Sequence, residues 1–128
     1  MSLVHLNKAT DHATSDDCVH INTDAILFIE ESPGMQMGKT AIHLVGLKTA
    51  SIRVAETLDQ VLAQVPGLAK AHRHFHAGEP SSGAHTVHIA VQNVSYARRT
   101  VPQDQPFWTI RFKDEYELRV IEPLPAGL

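Results

Sequence analysis

The densest run of side chains able to do chemistry is K-A-H-R-H-F-H, which begins at Lys70. If this segment is extended, His72, His74 and His76 lie on one face, because side chains alternate with a period of two along a strand. Three imidazoles on one face are a candidate zinc or copper site. The alternative is a solvated connector between two folded segments. No resident cofactor is expected.

Basic side chains form a second candidate site, for the phosphates of a nucleic acid. One part lies in the same histidine-rich segment and the other is an Arg-Arg pair some 25 residues later. The candidate nucleic-acid contacts are Lys70, His72, Arg73, His74, Arg98 and Arg99. Further arginines, at 53, 111 and 119, fall at outward-facing positions of predicted hairpins. The alternative is ordinary surface charge, and the formal net charge of −3 excludes a global basic field.

Catalytic motifs are missing from the sequence. It contains no nucleophile elbow, no phosphate-cradling glycine loop and no H-E-x-x-H. The carboxylates of Glu30 and Glu31 are adjacent in a predicted strand, where neighbouring residues face opposite sides and do not form an acid–base pair. We therefore expect a protein that is not an enzyme.

The length of 128 residues suits one compact body, and the single cysteine, Cys18, excludes an intramolecular disulfide. The sequence shows no basic start followed by an apolar stretch, and no apolar run of about 20 residues. These features predict a cytoplasmic protein without a membrane partner.

The elements that would position these residues occur twice along the chain. The V-H-I motif at 19–21 returns at 87–89, and I-H-L at 42–44 falls at the same offset on I-R-F at 110–112. The turn that follows is slightly shorter in the second copy, and beyond it I-R-V-A-E at 52–56 aligns with L-R-V-I-E at 118–122. The pattern predicts a tandem duplication. The alternative is convergence on a pattern common to all half-buried strands.

Each copy contains a slip in the phase of its apolar alternation. Val19 and Ile21 occupy odd positions, whereas Ile26 and Phe28 occupy even ones, and the second copy changes phase in the same way. Because a slip of one residue exchanges the two faces of a strand, the chain must bend there. The predicted bends lie at residues 22–24 and 92–93.

A hairpin follows each bent strand, with turns predicted near Gly46 and at Asp114. After the first hairpin, Thr57 and Gln60 form a T-x-x-Q capping box, and an apolar stripe at helical spacing ends at Pro66. The predicted fold is mainly β with one short helix, in which two bent-strand-plus-hairpin units share a barrel-like or sandwich-like body. The boundaries are a loose N-terminal arm (1–17), the first repeat with the helix (18–69), a connector (70–85) and the second repeat (86–128).

The order of these elements resembles the LytTR type of DNA-binding domain. The resemblance rests on N-T-D-A-I-L-F-I-E at 22–30, E-T-L-D-Q-V-L at 56–62 and H-R-H-F at 72–75. The first copy alone also resembles the short FlbD-type flagellar proteins. The LytTR resemblance implies DNA binding, with His72, Arg73 and His74 as the residues that carry over.

The predicted function is thus a non-enzymatic binding or regulatory module with nucleic acid as its candidate partner. One alternative is a protein-interaction or oligomerisation module, in which sheet edges recruit a second copy or another protein. The other alternative is metal binding through His72, His74 and His76.

Overall fold

The computed structural model describes residues 3–7, 18–31, 40–46, 51–73, 86–101, 106–121, 124–125 and 127–128. Within these ranges the chain is mainly β, with one α-helix and two short 3₁₀ turns, as predicted. The strands are β1 (Leu3–Asn7), β2 (Cys18–Asn22), β3 (Ile26–Glu31), β4 (Thr40–Leu44), β5 (Ile52–Val54), β6 (Ala69–His72), β7 (Thr86–Ile89), β8 (Val94–Thr100), β9 (Phe107–Phe112) and β10 (Glu117–Ile121). The helix α1 spans Leu58–Gln64, and the 3₁₀ turns span Thr23–Ala25 and Val91–Asn93.

The strands form three antiparallel sheets. The central sheet has the order β5-β4-β3-β7-β6, a second has the order β10-β9-β8, and β1 pairs with β2 alone. Strands from both halves of the chain meet in the central sheet, where β3 pairs with β7. None of these sheets closes into a barrel within the described residues, and a sandwich-like body is compatible with the arrangement.

The two predicted bends are the two 3₁₀ turns. At the first, the side chain of Asn22 accepts a hydrogen bond from the backbone N–H of Asp24 at 3.0 Å, which stabilises the start of the turn. Just beyond each turn the pairing register shifts, between Ile26 and Phe28 in one half and between Val94 and Tyr96 in the other. The phase slip in the sequence therefore corresponds to a real bend in both halves.

The halves agree in further detail. Strand, 3₁₀ turn and three more strands follow one another in both, and the register shifts fall at the same offset. The N–H of Val45 donates to the carbonyl of Ala25, and the N–H of Lys113 donates to that of Asn93. The origin of both halves in one duplicated unit stays a prediction.

Helix α1 begins as its capping box predicts. The Thr57 hydroxyl accepts from the N–H of Gln60 at 3.3 Å, and the Gln60 side chain accepts from the N–H of Thr57 at 2.9 Å. Val61, and Val65 just after the helix, are both buried, which directs one face of the helix onto the apolar core.

The apolar side chains form two cores. The first lies under α1 and the β1–β2 pair, and comprises Val4, Leu6, Ile21, Ile26, Ile29, Ile42, Val54, Val61, Val65 and Ala90. The second lies between the central sheet and β8–β10, and comprises Leu27, Phe28, Ala71, Val87, Ile89, Ile110, Phe112, Leu118 and Val120. Strand β3 supplies residues to both cores, so it is buried on both of its faces.

Two segments differ in local structure from the sequence prediction. Within the predicted loose arm, Leu3–Asn7 forms β1, and its alternate residues Val4 and Leu6 are buried against the first core. Within the predicted connector, Lys70 and His72 belong to β6, because this strand pairs with β7 from Ala69 onward. In the described part of the chain, no helix is long and apolar enough to cross a membrane.

Candidate nucleic-acid interface

The outer face of the β8–β9–β10 sheet collects arginines from all three strands. In the observed register Arg98 lies opposite Thr109, and Thr109 lies opposite Arg119. Residues directly opposite one another in an antiparallel pair share a face. The neighbouring row, Ala97–Ile110–Leu118, points into or towards the second core. Because strand residues alternate, Arg98, Thr109 and Arg119 belong to the opposite side, on which Arg98 is exposed, Arg119 is half-buried and Thr109 is buried.

A third arginine joins the same side. Arg111 is two residues from Thr109 on β9 and lies opposite Tyr96 on β8 and Glu117 on β10. Arg98, Arg111 and Arg119 thus surround Thr109, with Cα atoms about 8–10 Å apart by ordinary sheet spacing. We call the surface formed around the buried Thr109 by Tyr96, Arg98, Arg111, Glu117 and Arg119 the arginine face.

Two of these guanidinium groups have contacts on or beside the sheet. The Cζ atom of Arg119 lies 4.8 Å from the centroid of the Phe107 ring, a cation–π geometry that holds the side chain across the sheet. Arg111 lies 3.9 Å from the carboxylate of Glu115, whose side chain is 82% exposed. An ion pair so exposed is worth little, so it leaves Arg111 able to exchange partners.

Tyr96 adds an aromatic group to the arginine face. It is 50% exposed and lies on β8, which pairs with β9 and is an edge strand of its sheet as far as the described residues extend. Exposed aromatic rings beside guanidinium groups can stack on unpaired bases, while the cations contact phosphates. The arginine face therefore combines the two types of contact that single-stranded nucleic acids require.

The structure separates the residues predicted to contact nucleic acid. Arg98 lies on the arginine face, whereas Arg99, next in the strand, shares its row with Trp108 and Val120 on the other side. Lys70 and His72 lie on the central sheet, opposite His88 and Thr86, respectively. The predicted contacts at His74, and the predicted metal ligand His76, lie outside the described residues. Arginine 53 is on β5, in a different sheet from the arginine face.

The predicted metal site is only partly described. His72 lies on β6, where its Nδ1 atom is 3.5 Å from the hydroxyl of Thr86. Among the residues that the structure describes, no group of three or more His, Cys, Asp or Glu side chains is placed to hold a metal ion. A site built from His72, His74 and His76 stays a prediction.

Arg73 is half-buried and pairs with the buried carboxylate of Glu30. Glu30 is 6% exposed, and its two carboxylate oxygens have different partners. Oε1 lies 2.9 Å from Nε2 of His43, and Oε2 accepts from Nη1 of Arg73 at 3.2 Å. Arg73 also pairs with Val120 of β10 through an isolated bridge, so this polar cluster joins the central sheet to the β8–β10 sheet.

Aromatic rings enclose this cluster. The His43 ring stacks on Phe28 with centroids 4.0 Å apart, and the Tyr116 ring lies 6.1 Å from that of His43. Burial raises the pKa of the Tyr116 phenol; the positive charge of Arg73 opposes this rise, and Glu30 and Asp114 add to it. Nδ1 of His43 is buried and has no hydrogen-bond partner among the described residues.

The cluster has a chemical arrangement also found in catalytic dyads, since a carboxylate orients an imidazole. In this protein the same carboxylate holds Arg73, and the second imidazole nitrogen is buried away from solvent. A general base must reach the proton that it removes. We therefore interpret Glu30, His43 and Arg73 as a structural tie between the two sheets.

No family model matches this chain, and no curated protein or solved structure is detectably similar to it. The resemblances to LytTR-type domains and to FlbD-type proteins accordingly stay predictions drawn from the sequence motifs. The arginine face is described from the geometry of this chain alone.

Proposed function

We propose that this protein is a non-enzymatic binding module that recognises single-stranded nucleic acid on the arginine face. The observation that carries the proposal is the placement of Arg98, Arg111 and Arg119 around Thr109 on one side of one sheet. The chain as a whole has a formal net charge of −3, whereas the arginine face holds three arginines and one carboxylate, that of Glu117.

The spacing of the arginines supports contact with a flexible backbone. Separations of about 8–10 Å between Cα atoms, with long side chains at each point, suit successive phosphates of a strand laid across the sheet. The exposed ring of Tyr96 lies beside Arg111 and offers a surface on which a base can stack. Unpaired bases are accessible for such stacking, whereas those of a duplex are not, which favours a single strand.

The experiment is a fluorescence-anisotropy titration of labelled single-stranded DNA of mixed sequence, at about 50 and about 200 mM salt. Arg98→Gln and Arg119→Gln should each weaken binding and reduce the salt dependence, by about 0.7 in the log–log slope per lost phosphate contact. Tyr96→Ala should weaken binding with little change in that slope, because stacking releases no counterions.

The matched control is Arg99→Gln, which removes the same charge from the next residue of β8 on the other side of the strand. Circular dichroism must first show that each variant is folded. If Arg98→Gln and Arg99→Gln weaken binding equally, the effect depends only on net charge. That result would contradict the proposal that nucleic acid binds on the arginine face. The absence of binding even at low salt would refute nucleic-acid recognition, and tighter binding to the matching duplex would refute the preference for single strands.

A second candidate function is strand pairing with another protein or a second copy. It is favoured by β8, a seven-residue strand that lies at the edge of its sheet among the described residues and is followed by Val101, which is 63% exposed. An exposed edge offers unpaired backbone groups to an incoming strand. Sedimentation at increasing protein concentration tests it, since salt-tolerant association that a proline at Ser95 or Ala97 abolishes would support pairing through β8.

A further inference from the structure

The β1–β2 pair presents two histidines outside the surfaces described above. His5 of β1 lies directly opposite His20 of β2, and both side chains are exposed. Their rings stack with centroids 4.7 Å apart and planes inclined by 21°. The alternate residues Val4, Leu6 and Ile21 are buried in the first core, so the backbone that carries the two imidazoles is anchored from below.

The separation of the rings suits a shared metal ion. An imidazole nitrogen binds zinc at about 2.0–2.1 Å, which puts each ring centroid roughly 3.2 Å from the metal. Two rings that meet at the angles of square or tetrahedral coordination then have centroids about 4.5–5.2 Å apart. The observed 4.7 Å lies within this range.

One adjustment is required before both nitrogens can reach the same ion. Rings inclined by only 21° must turn about their Cβ–Cγ bonds until both nitrogens point to one position. That torsion has a broad energy profile in histidine, and the exposure of both side chains leaves them room to turn. The backbone register need not change.

We propose that His5 and His20 form a two-imidazole site for a divalent cation of the borderline class, such as Zn²⁺, Ni²⁺ or Cu²⁺. Imidazole is a preferred ligand of these ions, whereas Mg²⁺ and Ca²⁺ prefer oxygen. Water completes the coordination shell, because the site lies at the surface. Protons compete with a metal ion for imidazole nitrogen, so affinity falls as the pH is lowered.

The test is calorimetric titration of the tag-free protein with ZnCl₂ and with NiCl₂ at neutral pH, accompanied by NMR spectra of the histidine ring protons. The chain has nine histidines, so the site must be assigned by variants. His5→Gln and His20→Gln should each weaken the tightest binding at least about tenfold, because the loss of either ring leaves a single ligand. Metal should shift both sets of ring signals together.

The matched control replaces His72, His74 and His76 together with Gln and should leave the tightest site unchanged. His20→Asn serves as a second variant if His20→Gln disturbs the strand. Retention of the tightest site in the His5 and His20 variants, with its loss in the triple variant, would overturn the proposal. Loss confined to Cys18→Ser, two residues from His20 in β2, would overturn it as well, because the thiol would then hold the metal.

Discussion

The carboxylate of Glu30 lies 2.9 Å from the imidazole Nε2 of His43, and both side chains are 8% exposed. Glu30 stands opposite Ala41 in the β3–β4 register, so His43 is its diagonal neighbour on the same face. A buried carboxylate is stable only when its oxygens are satisfied, and the second oxygen is satisfied by Arg73. The polar contacts at the junction between the two sheets therefore converge on one acidic side chain.

Replacing Glu30 with Ala should lower the free energy of unfolding by about 3 kcal/mol, because it leaves two polar partners without their acceptor in a buried setting. Glu31→Ala is the matched control, since the next residue of β3 is exposed and its loss should cost less than about 0.5 kcal/mol. Urea denaturation followed by the fluorescence of Trp108 measures both. Equal decreases in the free energy of unfolding for the two substitutions would contradict the interpretation of Glu30, His43 and Arg73 as a structural tie.

Asn93 joins the two 3₁₀ turns and should be sensitive to truncation. Its side-chain amide donates to the carbonyls of Asp24 and Ile26, at 2.8 and 2.6 Å. Asn93→Ala leaves these carbonyls without that donor and should destabilise the fold by about 1–3 kcal/mol. Gln92→Ala, at an exposed neighbouring position, should have little effect in the same denaturation assay. A small effect of Asn93→Ala would mean that the turns hold their geometry without the amide.

His88 should titrate below the ordinary range of histidine. Burial lowers its pKa first and the charge of Lys70 lowers it further, whereas Asp59 raises it. Lys70→Gln should therefore raise the pKa of His88, and Asp59→Asn should lower it. NMR titration of the ring protons measures both changes, and shifts in the same direction would contradict the electrostatic origin.

The lowered pKa of His88 also sets the sign of a pH effect on stability. Above about pH 6.5 the imidazole is neutral in the folded and unfolded chains alike, and its contribution is fully present. As the pH falls, the unfolded chain takes up the proton first, so this contribution is lost as the pH passes through the lowered value. A His88→Gln variant should show a weaker loss of stability between neutral and mildly acidic pH.

Tyr116 produces the opposite dependence at high pH. Burial raises its pKa, so the folded protein keeps the phenol protonated where the unfolded chain, with a pKa near 10, begins to lose the proton. Stability from this residue is present below about pH 10 and is lost as the pH rises from there through the folded-state value. Absorbance titration of the phenolate should show a late ionisation step that vanishes in Tyr116→Phe and persists in the control variant Tyr96→Phe.

Local features of the fold were predictable because their signals are local. The capping box at Thr57 and the phase slips before Ile26 and Val94 each depend on a few consecutive residues, and all three predictions are confirmed. The pairing of β3 with β7 joins residues about 60 positions apart, and the sequence of neither strand indicates which strand it pairs with. The alternation of Ile26 and Phe28 predicts one apolar face on this strand, whereas in the structure Leu27 and Ile29 are fully buried as well.

The candidate site shows the same limit. Arg111 and Arg119 were expected at outward-facing positions, yet only the register of β8, β9 and β10 reveals that Arg98 joins them and Arg99 does not. Arg73 looks like a surface cation in the sequence, because the carboxylate that binds it is 43 residues away along the chain. Long-range pairing, not residue type, decides which cations are available to a ligand.

Strand β3 contributes Ile26 and Ile29 to one core and Leu27 and Phe28 to the other. The halves of the chain therefore cannot be cleanly divided, although their boundary between residues 73 and 86 looks like a natural place to cut. A fragment ending at 73 would expose the face of β3 that β8–β10 now cover. The remaining fragment would lose the β3 side chains that complete the second core. Mixed in solution, the two fragments should reassemble into one folded complex, whereas each alone should aggregate.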